Sequence, residues 1–167
     1  MNNLTSTTGP SKEVLNRATI IKTGRLEIGY YETPPGSNKT KYGEWFGYNG
    51  VAWCGIFVSY VYSKAGLSLG NIGFLKGFAG CDTAVAHFRK TNEITMKPQT
   101  GDIVFFDWNG DNKFDHVGIY LNDIDGKTFA TIEGNTSLVN NSNGGAVMER
   151  RRNNKNVLFV SPLILKK

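Results

Sequence analysis

Cysteine and histidine are scarce in this chain of 167 residues, with two of each. Two cysteines cannot build the disulfide framework of a small secreted scaffold. No apolar run approaches the ~18 residues needed to span a bilayer, so no membrane partner is expected. The N-terminal Met-Asn-Asn-Leu-Thr-Ser-Thr-Thr-Gly-Pro has neither a basic start nor an apolar core, so it is not expected to act as a signal peptide. The expectation is synthesis in a cytoplasm, with export or release left to another agent. Zinc-finger spacing, a basic helix and an aromatic RNA-binding signature are missing too, so no nucleic-acid partner is expected. Repeats and low-complexity linkers are also absent.

What is present suits one domain. A leader over 1–11 and a single domain over 12–165 are the expected organisation, and a monomer the expected state. Apolar residues make up 40 % and aromatics 12 %, enough for a real core, and 20 glycines signal many turns, as in a β-rich protein. The net charge of +5 is scattered, apart from Arg150-Arg151-Arg152 and Lys166-Lys167. It fits an ordinary basic domain, or attraction to a polyanion such as an anionic bacterial wall.

Ser11 is a fair N-cap, and the apolar spacing over Val14–Ile21 fits one helix face, with breaks at Gly24 and Gly29. Residues 32–50 read as loop. Cys54 to Ala65 reads as a buried helix closed by Gly66, and 71–80 as irregular. Asp82 is a candidate cap for a helix through Val85 to Arg89. The period then changes: strands are predicted at Ile103–Phe106, Val117–Leu121, Phe129–Glu133, Ala146–Arg151 and Val157–Val160, with a long turn over 140–145. Helices followed by short strands predict an α+β fold, helices on one face of an antiparallel sheet.

Cys54 opens the helical run Ala52-Trp53-Cys54-Gly55-Ile56-Phe57-Val58. A thiolate is the competent nucleophile, and a helix N-terminus with a neighbouring imidazolium lowers a thiol pKa of about 8.5. His116, in Asp115-His116-Val117-Gly118, is the candidate to take the thiol proton and return it to a leaving amine. Its second ring nitrogen needs an acceptor, which Glu133 or Asn135 of Ile132-Glu133-Gly134-Asn135 can supply. Positions 133 and 135 share a strand face if the strand continues, which makes them a cooperating pair. The competing reading treats Cys54 as a small buried hydrophobe and His116 as a packed histidine, and spacing alone does not separate the two. His87 looks structural. Cys81, beside Gly80 and Asp82, reads as a bystander, and a bridge to Cys54 would consume the nucleophile.

The segment Asn38–Ser59, the pair Gly101-Asp102-Ile103-Val104-Phe105-Phe106 and Asp115-His116-Val117-Gly118-Ile119, and Ile132-Glu133-Gly134-Asn135-Thr136 together resemble the CHAP domains. These are cysteine- and histidine-dependent amidohydrolases and peptidases of peptidoglycan. The similarity spans roughly 12–165. It implies a papain-like fold with the Cys helix packed on the sheet that carries the His. It also implies Cys54 as nucleophile, His116 as base and acid, Glu133 as orienter and Asn135 as a supporting polar group.

The chain departs from some members in having no carboxylate between Trp45 and Ala52, where they carry a calcium loop. Instead Asp107, Asn109, Asp111 and Asp115 alternate in a second acidic loop, with the Lys113 carbonyl between them. Oxygen donors at alternate positions are what calcium loops use, and a structural Ca2+ stiffening the approach to His116 is one expectation. Asn112 stands where such a loop needs glycine and Gly118 where it needs glutamate, which favours the other, a solvated acidic turn. Tyr48, Asn49 and Trp53 are candidate substrate contacts, Tyr48 or Asn49 for an oxyanion hole. Core packing is the competing reading for Trp53 and Phe57.

The resemblance implies an N-acetylmuramoyl-L-alanine amidase or a peptide endopeptidase, working through a thioester without a cofactor in the chemistry. The positive charge points to Gram-positive walls. A phage lysin freed by a holin, or a module of a phage or secreted particle, fits the missing signal peptide. The alternative is a catalytically silent wall-binding or phage-tail structural module on the same fold.

Overall fold

A computed structural model describes residues 9–141 and 143–167. Most of the expected leader, residues 1–8, and position 142 of the expected 140–145 turn lie outside the described residues.

Four helices precede the sheet: α1 Lys12–Arg25, α2 Lys41–Phe46, α3 Cys54–Lys64 and α4 Cys81–Lys90. Strands β1 Ile94–Thr95, β2 Ile103–Phe106, β3 His116–Asp123, β4 Thr128–Thr136, β5 Ala146–Asn153 and β6 Val157–Val160 follow, with a 3₁₀ turn at Leu163–Lys166. They form one sheet in the order β1-β6-β2-β3-β4-β5, every pairing antiparallel. The α+β expectation therefore holds.

Ser11 caps α1 as expected, its hydroxyl accepting from Val14 N–H. Helix α2 lies where a loop is expected. Thr40 accepts from Gly43 N–H at its start, and Gly47, at φ 88°, closes it in the left-handed region. Six residues are too few to show a period. Helix α4 begins one residue before its expected cap: Gly80 is the N-cap, and Asp82 instead accepts a 2.8 Å bond from the backbone N–H of Phe114.

Nearly every residue of α3 is buried, so it is a core helix wrapped on all sides. Its face toward the sheet meets Ile103, Phe105, Val117, Ile119 and Ile132 in one cluster. Strand β2 is buried on both faces, and its other side joins Val104 and Phe106 to Tyr120 and Phe129 in a second apolar layer. Glycines set how closely α3 approaches. A Cβ on Gly134 of β4 would lie 2.6 Å from Phe57 and 2.8 Å from the Trp53 ring. A Cβ on Gly55 would lie 2.5 Å from the Ala79 carbonyl oxygen, so the segment leading into α4 rests against the start of α3. At the far end Arg17 of α1 is buried, donating to Asp102 Oδ1 at 2.6 Å and to the Thr100 carbonyl at 3.0 Å. No helix among the described residues is long and apolar enough to cross a membrane.

Candidate active site

Cys54 is the first residue of α3, and the preceding Trp53 provides no side-chain cap for the helix. The opening N–H groups of a helix have no intrahelical acceptor, so an uncapped start offers them to an anion. Gly55 N–H points at the Cys54 sulfur. His116 begins β3 and is wholly buried. Its Nε2 lies 3.0 Å from Glu133 Oε2 on the adjacent strand β4. Nδ1 makes no hydrogen bond of normal length, and the neighbour remaining to the ring is the Cys54 thiol.

The charges follow from these neighbours. The Cys54 thiol is held well below the usual range, first by the Cys81 thiol, against its burial, and then by His116 and Gly55 N–H. Cys81 is pushed well above its usual value, by Cys54 and by burial, with Asp82 and Asp115 adding to the rise. Between the two sulfurs the thiolate belongs to Cys54, because that one faces an imidazole and Cys81 faces carboxylates. Burial alone would lower the His116 pKa, but contacts with Cys54 and Glu133 overcome it and raise the ring to about 9. Burial would likewise raise Glu133, yet Arg152 and His116 take it down to about 2. The resting site is a thiolate–imidazolium pair with an ionised carboxylate behind it.

Glycine makes room for that carboxylate. A Cβ on Gly118 would come within 2.7 Å of Glu133 Cγ. Thr131 donates to Glu133 Oε1 at 2.6 Å.

Asn135 does not join Glu133 as a same-face pair. The β4–β5 register shifts between Glu133 and Thr136, and Asn135 sits at φ 58°, which breaks the period-two alternation. Its side chain serves the following turn, donating to Asn143 Oδ1 at 3.3 Å and accepting from Gly145 N–H at 3.3 Å.

The expected substrate contacts divide. Trp53 is wholly buried and donates to Glu32 Oε2 at 3.2 Å, so it is core and cannot line a groove. Asn49 closes its own loop, its Oδ1 accepting from Thr40 N–H at 2.9 Å. Tyr48 is exposed and stacked on Phe74 at 5.6 Å.

The acidic loop does not assemble the expected calcium shell. Asp107 turns both carboxylate oxygens onto the N–H groups of Gly110, Asp111 and Asn112. Asp111 accepts from Lys113 N–H, Asp115 from Trp108 N–H, and Asn109 from Asp111 N–H. Among the described residues no three His, Cys, Asp or Glu side chains converge to hold a metal. The oxygens at alternate positions serve the backbone of a tight turn.

Three neighbours lie outside the sequence motifs. Arg152 of β5 is paired with Glu133. Cys81 is no bystander, since it is free and lies against Cys54. Trp108, 39 % exposed, stacks on Phe106 at 4.7 Å and adjoins His116 at 6.1 Å. The Arg150-Arg151-Arg152 run was visible in the sequence, but only the strand's alternation and register select Arg152 from it.

A thiol at the start of a core helix, against an imidazole on an antiparallel sheet, places the molecule in the papain-like α+β class. Within that class the chain belongs to the CHAP domain family, whose model matches residues 46–135. A search of curated proteins finds no match. CHAP domains are in general cysteine- and histidine-dependent amidohydrolases or peptidases, and the family points to peptidoglycan as the material acted on.

Proposed function

We propose that this domain hydrolyses an amide bond of bacterial peptidoglycan, with Cys54 as nucleophile, His116 as acid and base, and Glu133 as orienter. The observation that carries the reading is the His116 ring, held by Glu133 at Nε2 and raised to about 9 beside an acidified Cys54.

The thiolate of Cys54 adds to the amide carbonyl carbon. The oxyanion that forms meets the backbone N–H of Cys54 at the start of α3. The imidazolium of His116 gives its proton to the amine as the C–N bond breaks, which leaves a thioester on Cys54. The neutral ring then takes a proton from water as hydroxide adds to the thioester, and the thiolate leaves. Glu133 stays anionic throughout and stabilises the imidazolium.

In finer terms the substrate is the sugar–peptide amide or a peptide bond of the stem or cross-bridge. The net charge of +5 favours walls rich in anionic polymers, as in Gram-positive bacteria. A monomeric phage lysin, or a lysin-like module acting on the wall after release, accords with this chemistry.

Clearing of a suspension of purified walls, followed by mass spectrometry of the released amine, tests the reading. Wild type is expected to clear the walls and Cys54→Ala to leave them turbid. Equal clearing by both would overturn the enzymatic role. Binding without clearing by either would favour a silent wall-binding module.

A further inference from the structure

We propose that Arg152 is a positioning residue of this site: its guanidinium clamps the Glu133 carboxylate in the one orientation that meets His116 Nε2. The inference rests on the reading of Cys54, His116 and Glu133 as the reacting group.

Arg152 lies on β5, on the far side of Glu133 from His116. Its Nε donates to Glu133 Oε1 at 2.8 Å, and its Nη2 donates to Glu133 Oε2, so both carboxylate oxygens are held. The guanidinium is itself fixed. Nη1 donates to Asn141 Oδ1 at 2.7 Å, and Nη2 also reaches Thr136 Oγ1 at 3.4 Å. The cation lies 5.6 Å from the Phe106 ring centre and 5.1 Å from that of Trp108. Arg152 and Glu133 are both buried.

A two-oxygen clamp sets the plane of a carboxylate, which a point charge does not. His116 takes its direction from Oε2, the oxygen that Arg152 also holds. Without the clamp, Glu133 retains Thr131 at Oε1 and His116 at Oε2. The His116 ring would then lose its fixed aim at Cys54. Burial of an anion here also requires a cation that does not titrate, because His116 becomes neutral in part of the proposed cycle.

The groups facing this chemistry come from four elements. Glu133 is faced by His116 from β3 and by Arg152 from β5, with Arg150 further off. His116 is faced by Cys54 from α3, and Cys54 by Cys81 from α4.

The test uses the intact protein and two readouts. The first is the rate at which iodoacetamide alkylates Cys54 across pH, with Cys81 labelling resolved by peptide mapping. Arg152→Met removes one positive charge and is expected to move the acid limb of this profile up by about one pH unit. The second is turnover of purified walls: kcat should fall by about tenfold, with KM within about twofold, because a misaligned base slows the chemistry without weakening binding.

Adding Arg152→Met to Glu133→Gln should leave kcat within about twofold of Glu133→Gln alone, because Arg152 acts through that carboxylate. Arg152→Lys keeps the charge and loses the clamp, so it should hold the wild-type acid limb while kcat still falls about threefold or more. It carries the test if the Met variant does not fold.

A folded Arg152→Met with the wild-type profile and kcat would overturn the proposal. A further tenfold loss in the Glu133→Gln background, or wild-type kcat in Arg152→Lys, would also overturn it. If wild type leaves walls intact, the function above fails, while the alkylation profile still reports on Arg152.

Discussion

The imidazole Nε2 of His116 and the carboxylate Oε2 of Glu133 lie 3.0 Å apart on adjacent strands, both side chains wholly buried. The carboxylate is lowered to about 2 by Arg152 and His116, the ring is raised to about 9 by Cys54 and Glu133, and each thus helps to hold the other's charge. The consequence is that the His116 proton stays on the ring until a leaving group takes it.

The pH dependence of activity follows from that ring. The competent state pairs a Cys54 thiolate with a His116 imidazolium. Turnover of wall substrate is expected to hold through neutral pH and to fall as pH rises through about 9, where the ring loses its proton. A kcat/KM profile checks this, and a basic limb near 6.5 would contradict it.

Stability should behave differently. The raised His116 stabilises the fold fully below its unfolded value of 6.5, and that contribution is lost as pH rises toward about 9. The lowered Cys54 does the opposite, contributing fully above its unfolded value of 9.0 and losing that contribution as pH falls. Between 6.5 and 9 the two cancel, because folding only moves one proton from sulfur to ring. Denaturant midpoints for wild type are expected to be level over this window. A midpoint that falls steadily across the window would contradict the coupled pair.

Cys81→Ala removes the thiol that does most to acidify Cys54. The Cys54 thiol pKa should rise, and the acid limb of its alkylation by iodoacetamide should move to higher pH, since the thiolate is the species that reacts. An unmoved acid limb would leave Cys81 a packing residue only.

Gly134→Ala places a methyl group against Phe57 and Trp53, on the helix that carries Cys54. Overpacking of this kind costs about 1–3 kcal/mol. The variant is expected to lose that much in chemical denaturation and to lose activity more steeply, because α3 must shift relative to His116. Full activity in a destabilised Gly134→Ala would show that the site tolerates the displacement.

Asp107→Ala should cost about 1–2 kcal/mol by freeing three backbone N–H groups, an effect of the size seen for lost helix caps. Chelators should leave the melting temperature of wild type unchanged. A drop in wild type on chelation would restore calcium to this loop.

The helix starting at Cys54, most strand positions and the three motifs were legible because each depends on local periodicity and turn chemistry. Helix α2 was not, since its six residues are held by a threonine cap and a closing glycine rather than by an apolar stripe. The same-face pairing expected of Asn135 with Glu133 presumes regular backbone, and a positive φ at 135 interrupts it. The choice between a calcium loop and a solvated turn depends on a related point. Alternating oxygens identify a loop rich in acceptors, and whether these meet a cation or the loop's own N–H groups depends on how it folds.

The sequence by itself determined the class of fold, through its change from helical to strand spacing, and its local motifs offered Cys54, His116 and an acceptor at Glu133 or Asn135, with the family resemblance choosing Glu133. Only the tertiary structure decided which distant partners those groups meet. Arg152 reaches Glu133 through the β4–β5 pairing, and Cys81 reaches Cys54 because glycine at position 55 lets the segment before α4 close on α3. Local patterns record the preferences of neighbouring residues. Side-chain charge and direction in a buried site depend on contacts across the chain, which exist only once strands and helices have packed.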